Sequence, residues 1–271
     1  MHKMFKKVLL ISLLFLILFT IKIEGGLIVN SKLVHQYEVD VGEKRLGEIV
    51  LKNNSKNKIM VRLYKRDYSF NAAGKNFYSS PGINPHSNAE WLLLKKQLFS
   101  IPPFGKKSIK YIINIPDKML KGTYWSMVMI EEYETQSENS NNFIKSKVNQ
   151  NVRYGIQIVT NLGEKGKMNI EYKKPEVKML KENKYIFRID IVNKGIFELK
   201  TNPQIIIINK NTGEIVNTYE RKQIRLYPNT SIAVKEKISL DKKIPYKIIA
   251  IVGNNRRGYY GKEYSIGVEK D

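Results

Sequence analysis

Apolar and polar side chains alternate with a period of two along this chain, and helical periodicity is almost absent beyond the first two dozen residues. Successive strand side chains point to opposite faces, so the pattern marks half-buried strands. Ile59, Val61 and Leu63 share one face of residues 58–68. Ile109, Tyr111, Ile113 and Ile115 share one face of residues 108–116. In residues 123–133, Tyr124, Val128 and Ile130 oppose Trp125, Met127 and Met129. In residues 152–160, Val152, Tyr154, Ile156 and Ile158 oppose Arg153, Gly155 and Gln157. Val41-Gly42-Glu43, Asn53-Asn54-Ser55, Pro102-Pro103-Phe104-Gly105 and Lys121-Gly122 supply the turns between them. Short strands at this spacing predict a sandwich of antiparallel sheets.

Residues 135–150 break the pattern. They are Ser-, Asn- and Lys-rich, with only Phe143-Ile144 as an apolar pair. Such a stretch buries too little to offset the cost of ordering, which predicts a long mobile loop. Gly163-Glu164-Lys165-Gly166-Lys167 then reads as a boundary, and the alternation restarts after it. Tyr185, Phe187, Ile189 and Ile191 run up to Val192-Asn193-Lys194-Gly195. Residues 204–209 and 214–219 flank Lys210-Asn211-Thr212-Gly213, a hairpin signal. Residues 231–239, 246–252 and 262–268 complete the set. The expected fold is therefore all-β, with two immunoglobulin-like β-sandwich domains. The first spans 27–163, a linker 164–167, and the second 168–271.

The N-terminus has a different character. Lys3, Lys6 and Lys7 precede an uncharged run from Val8 to Ile21, which ends at Lys22 and Glu24. A cationic start and a short apolar core are the marks of a secretory signal, too short for an ordinary membrane span. Gly25 and Gly26 offer a cleavage site, with an uncleaved anchor as the alternative for residues 1–26. The protein is thus expected outside the cytoplasm, in the periplasm or at the cell surface. Any membrane contact is expected only through this segment.

The chain has no cysteine, which removes disulfides, thiol catalysis and cysteine metal sites together. Its net charge of +22 comes from 38 lysines and 9 arginines. Those charges are spread evenly, 20 basic against 11 acidic groups in residues 27–163 and 21 against 12 in residues 168–271. A nucleic-acid surface concentrates its cations and favours arginine, so no nucleic-acid partner is expected. A lysine-rich surface can still attract anionic wall polymers.

Enzymatic chemistry finds little support. His2, His35 and His86 are isolated, with no metal-holding pair and no Gly-x-Ser-x-Gly elbow. Gly105-Lys106-Lys107-Ser108 precedes a strand, whereas a phosphate loop opens a helix. Glu131, Glu132 and Glu134 lack calcium-loop spacing. Arg256-Arg257-Gly258-Tyr259-Tyr260 sits where a hairpin turn is needed. No catalytic activity, cofactor or metal is expected. Residues 152–160 are the more informative segment. A strand that follows a mobile loop either presents an edge to another chain or is an internal strand.

Three segments carry a resemblance to the PapD-like periplasmic chaperones of pilus and fimbrial assembly. They are Glu48-Ile49-Val50-Leu51-Lys52-Asn53-Asn54-Ser55, Leu98-Phe99-Ser100-Ile101-Pro102-Pro103-Phe104-Gly105, and Ile113-Asn114-Ile115-Pro116 followed by Lys121-Gly122-Thr123-Tyr124. The resemblance implies that Val152, Tyr154, Ile156 and Ile158 complete the sheet of an exported fimbrial or surface subunit. It also implies a cationic anchor for the subunit's terminal carboxylate, with Arg45, Arg153, Lys165 and Lys167 as candidates. The same segments resemble the first domain of WxL-associated surface proteins, which implies peptidoglycan binding as the alternative. The function expected is a chaperone-like, non-enzymatic protein-binding factor.

Overall fold

A computed structural model describes residues 26–95, 97–118, 120–133 and 152–266. Its strands, in chain order, begin with β1 (Leu27–Val29), β2 (Val34–Val39), β3 (Lys44–Asn53), β4 (Ile59–Phe70) and β5 (Asn76–Ser79). Next come β6 (Leu92–Leu94), β7 (Leu98–Ile101), β8 (Lys106–Asn114), β9 (Gly122–Glu132) and β10 (Arg153–Leu162). The second set opens with β11 (Ile170–Tyr172), β12 (Glu176–Lys181), β13 (Lys184–Asn193), β14 (Leu199–Thr201) and β15 (Gln204–Asn209). It closes with β16 (Ile215–Glu220), β17 (Ile224–Leu226), β18 (Ser231–Ser239), β19 (Tyr246–Asn254) and β20 (Gly258–Ile266). Among the described residues the one helical element is a 3-10 turn at Ala89–Trp91. No helix among them is long and apolar enough to cross a membrane.

The first set forms two facing sheets, β1-β3-β8-β6 and β2-β10-β9-β4, with β5 and β7 both on the far side of β4. Every pairing is antiparallel except that of β2 with β10. The inward side chains read from the sequence meet between these sheets. Ile59, Val61 and Leu63 pack with Ile109, Tyr111, Ile113, Val128 and Ile130. The second set forms a sheet with β13 between β18 and the β11/β12 edge, and a facing sheet β16-β15-β19-β20. Phe187, Ile189, Ile191, Ile205, Ile207, Ile248 and Val252 fill the space between. The protein is all-β, as the alternation predicts. Residues 163–167 run exposed between β10 and β11 without strand structure. The expected loop at 135–150 lies outside the described residues.

Each sandwich turns the same corner around one buried asparagine. The Asn53 side-chain amide donates to the Asn57 and Ile101 carbonyls, at 2.7 and 3.2 Å, and its oxygen accepts the Ser55 N–H. The Asn193 amide donates to Phe197 and Leu226, at 2.8 and 3.0 Å, and its oxygen accepts the Gly195 N–H. The Asn53 N–H reaches the Gly105 carbonyl, and the Asn193 N–H that of Thr230. Both facing turns hold one residue in the left-handed region, Phe104 at φ 55° and Asn229 at φ 58°. The sequence shows both asparagines as turn signals. Their role as buried cross-links is visible only in three dimensions.

Strand β9 departs from its sequence pattern. Alternation predicts one buried face, yet Trp125, Met127 and Met129 on the other face are buried as well. Trp125 is covered by Tyr227 of the second sandwich. Met127 fills the space above Gly155, where an added Cβ would lie 2.5 Å from the Met127 Cε. Gly155 is thus the notch that lets Met127 lie flat on the sheet.

Two histidines are tied into the first sandwich in the same electrostatic sense. His35 Nδ1 lies 2.6 Å from the Tyr111 hydroxyl, which lies 2.8 Å from that of Tyr37. His86 Nδ1 lies 3.0 Å from the Thr123 carbonyl. Burial lowers both pKa values from the ordinary 6.5, against the raising effect of the Lys32 and Thr123 carbonyls. A group whose folded pKa is depressed contributes stability above its unfolded pKa and loses it as pH falls through the folded value. The thermal midpoint should therefore fall as pH is lowered from 7.5 towards 5. Replacing both residues by glutamine should flatten that slope, as read by circular dichroism at each pH. An unchanged slope in the double variant would show that other groups carry it.

Candidate strand-binding edge and interdomain cleft

Strand β10 is covered unequally on its two sides. On one side it pairs with β9 over its whole length, from Arg153 opposite Glu131 to Leu162 opposite Gly122. On the other, β2 pairs only with Gln157 through Leu162. The last cross-strand link before the gap is the Gln157 N–H to the Leu33 carbonyl, at 2.9 Å. Strand backbone groups alternate in direction, so the N–H and C=O of Gly155 and Arg153 point to the same side as those of Gln157. Among the described residues no strand occupies that side of residues 153–156. An edge of this kind is a template for another chain.

The proposed partner-facing side chains divide into two kinds. Ile156 and Ile158 are fully buried in the core between the sheets. Tyr154 packs against the same core and donates its hydroxyl to the Leu27 carbonyl at 2.7 Å. Only Val152 is exposed, 42 % of its surface. The expectation that all four side chains face a partner is corrected for Ile156 and Ile158. Alternation identifies which residues share a face but not whether that face is the core, and here the odd-numbered face is the outward one. What β10 offers at this end is backbone, together with Val152.

The four candidate anchors do not converge. Arg45 stands at the opposite end of the first sandwich from Arg153, opposite Ile113, and pairs with Glu43 at 2.7 Å. Arg153 pairs with Glu131 through its Nε at 2.9 Å. Lys165 pairs with Glu38 at 3.0 Å, and Lys167 is exposed nearby in sequence. Glu131 is itself buried and also accepts from Arg62 Nε at 2.7 Å and the Tyr64 hydroxyl at 3.1 Å. Burial pushes its carboxyl up, but the bonds to Arg62 and Tyr64 and the charges of Arg62 and Arg153 outweigh that and hold it below 4.5. The acidic triplet at 131–134 therefore includes a carboxylate committed to the fold.

The residues that sequence reasoning missed lie between the two sandwiches. Gln36 on β2 donates to Glu198 at 2.8 Å and accepts from Lys200 at 2.5 Å and Arg225 at 3.2 Å. Glu198 and Arg225 lie 3.1 Å apart, close enough for attraction but not aligned as a hydrogen bond. Asn161 joins the same seam through Glu38 and the Thr123 hydroxyl. Arg257, in the hairpin turn, reaches the Glu198 carbonyl at 2.9 Å and the Gly166 carbonyl at 3.0 Å. Burial lowers the pKa of Lys200. A cleft of about 690 Å³ opens over this seam. Another of about 760 Å³ lies between Tyr68 and Phe70 of the first sandwich and Arg188, Arg221, Arg225 and Tyr227 of the second. Each of those arginines faces a carboxylate, in Asp190, Glu236 and Glu198 respectively. No periodic pattern announces these residues, since they come from separate strands of two sheets.

No protein-family model matches the chain, and no curated protein matches it. Solved structures similar to it include the following. A chaperone–tip adhesin complex of CFA/I fimbriae biogenesis contains a chain 14% identical, with 89% of this chain and 98% of that one covered, at a TM-score of 0.48. The class 5 fimbriae chaperone CfaA is 15% identical over 88% and 98%, also at 0.48. The E. coli chaperone DraB is 12% identical over 90% and 97%, at 0.41.

Proposed function

We propose that the chain is an exported, non-enzymatic protein-binding factor, chaperone-like in fimbrial or surface-protein assembly, that takes an extended segment of an exported subunit as an added strand. The observation that carries this reading is the side of residues 153–156 on which, among the described residues, no strand pairs. Main-chain hydrogen bonds supply affinity in such pairing, and neighbouring side chains supply selectivity. Val152 adds an exposed apolar contact beside the edge. Arg153 lies on the edge itself, but its guanidinium is paired with Glu131, so the edge offers its backbone rather than this cation. The N-terminal pattern of lysines and a short apolar run supports export. Proteins similar to this chain include a chaperone solved with its tip adhesin, but the assignment rests on the edge.

The test uses the full chain produced in its own cell with a photo-crosslinking amino acid at position 152, and a second version with it at 216 as control. Position 152 should capture an exported subunit and position 216 should not. Arg153→Pro removes an edge N–H and blocks close approach. It should weaken the captured complex roughly tenfold, the worth of one main-chain bond. Arg153→Ala, which only releases Glu131, should leave the complex nearly intact. Equal complexes with Pro and Ala would sink strand addition. Retention on purified peptidoglycan without any captured protein would favour a wall-binding module instead.

A further inference from the structure

Phe104 is the wrong residue for its backbone. It sits at φ 55°, with 61% of its surface exposed. The left-handed region disfavours residues with a Cβ, and bulky ones most. The same corner of the second sandwich uses Asn229, a residue suited to that conformation. An aromatic ring held in solvent at a strained position gains nothing for the fold that asparagine would not. Such an outlier points to a function for the ring.

The surroundings indicate what the ring meets. The Phe104 N–H donates to the Ser55 carbonyl at 3.3 Å. The adjacent Asn54 N–H donates to the Gly26 carbonyl at 3.1 Å. Gly26 is therefore held at the Asn54 turn, which adjoins the turn that carries Phe104, and the uncharged run from Val8 to Ile21 precedes Gly26 in sequence. Lys56, Lys58 and Lys106 are exposed around the tip, with Lys52 and Lys107 half-buried behind them. Residues 51–59 and 101–108 contain no acidic side chain. The two carboxylates nearby are engaged, Glu132 by the Leu27 N–H and Glu48 by the Ser108 hydroxyl. An exposed aromatic ring on a tip that carries exposed lysines, in a chain with a membrane-directed run, has the chemistry that an anionic bilayer surface takes up.

We propose that this tip of the first sandwich docks on an anionic lipid surface, with the Phe104 ring inserted among the acyl chains and Lys56, Lys58 and Lys106 on the headgroups. The proposal rests on the membrane-directed reading of the N-terminal run and is independent of strand addition at β10. It would hold the sandwich against the membrane, with the β10 edge close to where exported chains emerge.

The test is Phe104→Trp in the full chain, reconstituted in vesicles of phosphatidylcholine with phosphatidylglycerol or of phosphatidylcholine alone. The native Trp91 and Trp125 signal is subtracted with the unsubstituted chain. In anionic vesicles the added indole should shift to shorter wavelength and be quenched by lipids brominated on their acyl chains. Both effects should be lost with Lys56, Lys58 and Lys106 changed together to glutamine. Asn229→Trp, at the equivalent corner, should show neither. Water-like emission from position 104 in anionic vesicles would overturn the proposal, as would equal quenching in both vesicle types. Phe104→Asn should raise the thermal midpoint by relieving the strain. A fall would mean that the ring serves the fold and would also overturn it. Because crosslinking at Val152 needs no lipid, failure here and failure of strand addition are separable.

Discussion

Trp125→Ala is expected to cost about 3–5 kcal/mol, the range for emptying a buried aromatic site, and to uncouple the two sandwiches. The Trp125 ring is 1% exposed and stacks on Tyr227 at 4.5 Å between centroids and 7° between planes. Its indole N–H donates to the Tyr68 carbonyl at 2.6 Å. Tyr227 in turn donates its hydroxyl to Gln157 at 2.7 Å, and burial pushes that phenol's pKa up. Trp125 comes from β9 of the first sandwich and Tyr227 follows β17 of the second, so the stack is the apolar pin between them. The variant should replace one calorimetric transition by two and increase the radius of gyration seen by X-ray scattering. Trp125→Phe keeps an aromatic ring and loses the N–H bond, for about 1 kcal/mol. A single unshifted transition in Trp125→Ala would show that the stack is not what couples the halves.

Glu198→Ala should cost about 3 kcal/mol, because it leaves Arg225 without its counter-charge in a mostly buried seam. The Glu198 side chain is 3% exposed and that of Arg225 20%. The loss also removes the nearer of the two acceptors of the Gln36 amide, leaving Glu38 at 3.4 Å. Replacing both charges, Glu198→Leu with Arg225→Met, should cost far less than the single change, since well-packed apolar pairs substitute for buried ion pairs. Chemical denaturation of the two single variants, the double variant and the parent gives the coupling directly. A double variant as unstable as the sum of the singles would mean that the pair does not act as a unit. Together the stack and the seam fix the second sandwich relative to β10, leaving the uncovered end of that strand on the side away from the second sandwich.

The strands were legible because burial on one face imposes a period of two, and that constraint is local. Residues 185–191 illustrate it: Phe187, Ile189 and Ile191 are all fully buried in β13. Strand β12 was not legible. Its six residues are all exposed, so no buried face imprints a pattern on Glu176–Lys181. The candidate edge was legible in part. Residues 152–158 stand out as a strand after a polar stretch, but which of their faces turns inward is not legible, since alternation has no sign. Only the pairing with β9 and the core contacts of Ile156 and Ile158 supply one. The cations were the least legible. Lysines and arginines recur along the whole chain, and which of them meet depends on contacts between residues far apart in sequence, as with Gln36 and Arg225.

By itself, then, the sequence determined an all-β chain, strands that alternate with a period of two, and asparagine corners seen as turns. Each follows from interactions over a few residues, which a linear pattern records. The tertiary structure alone decided that β2 stops short of residues 153–156. It alone set Trp125 on Tyr227 and Glu198 beside Arg225, and brought the turns at Asn54 and Phe104 together at one end of the first sandwich. These depend on how far one strand overlaps another and which loops share an end of a sandwich, and sheet packing sets both.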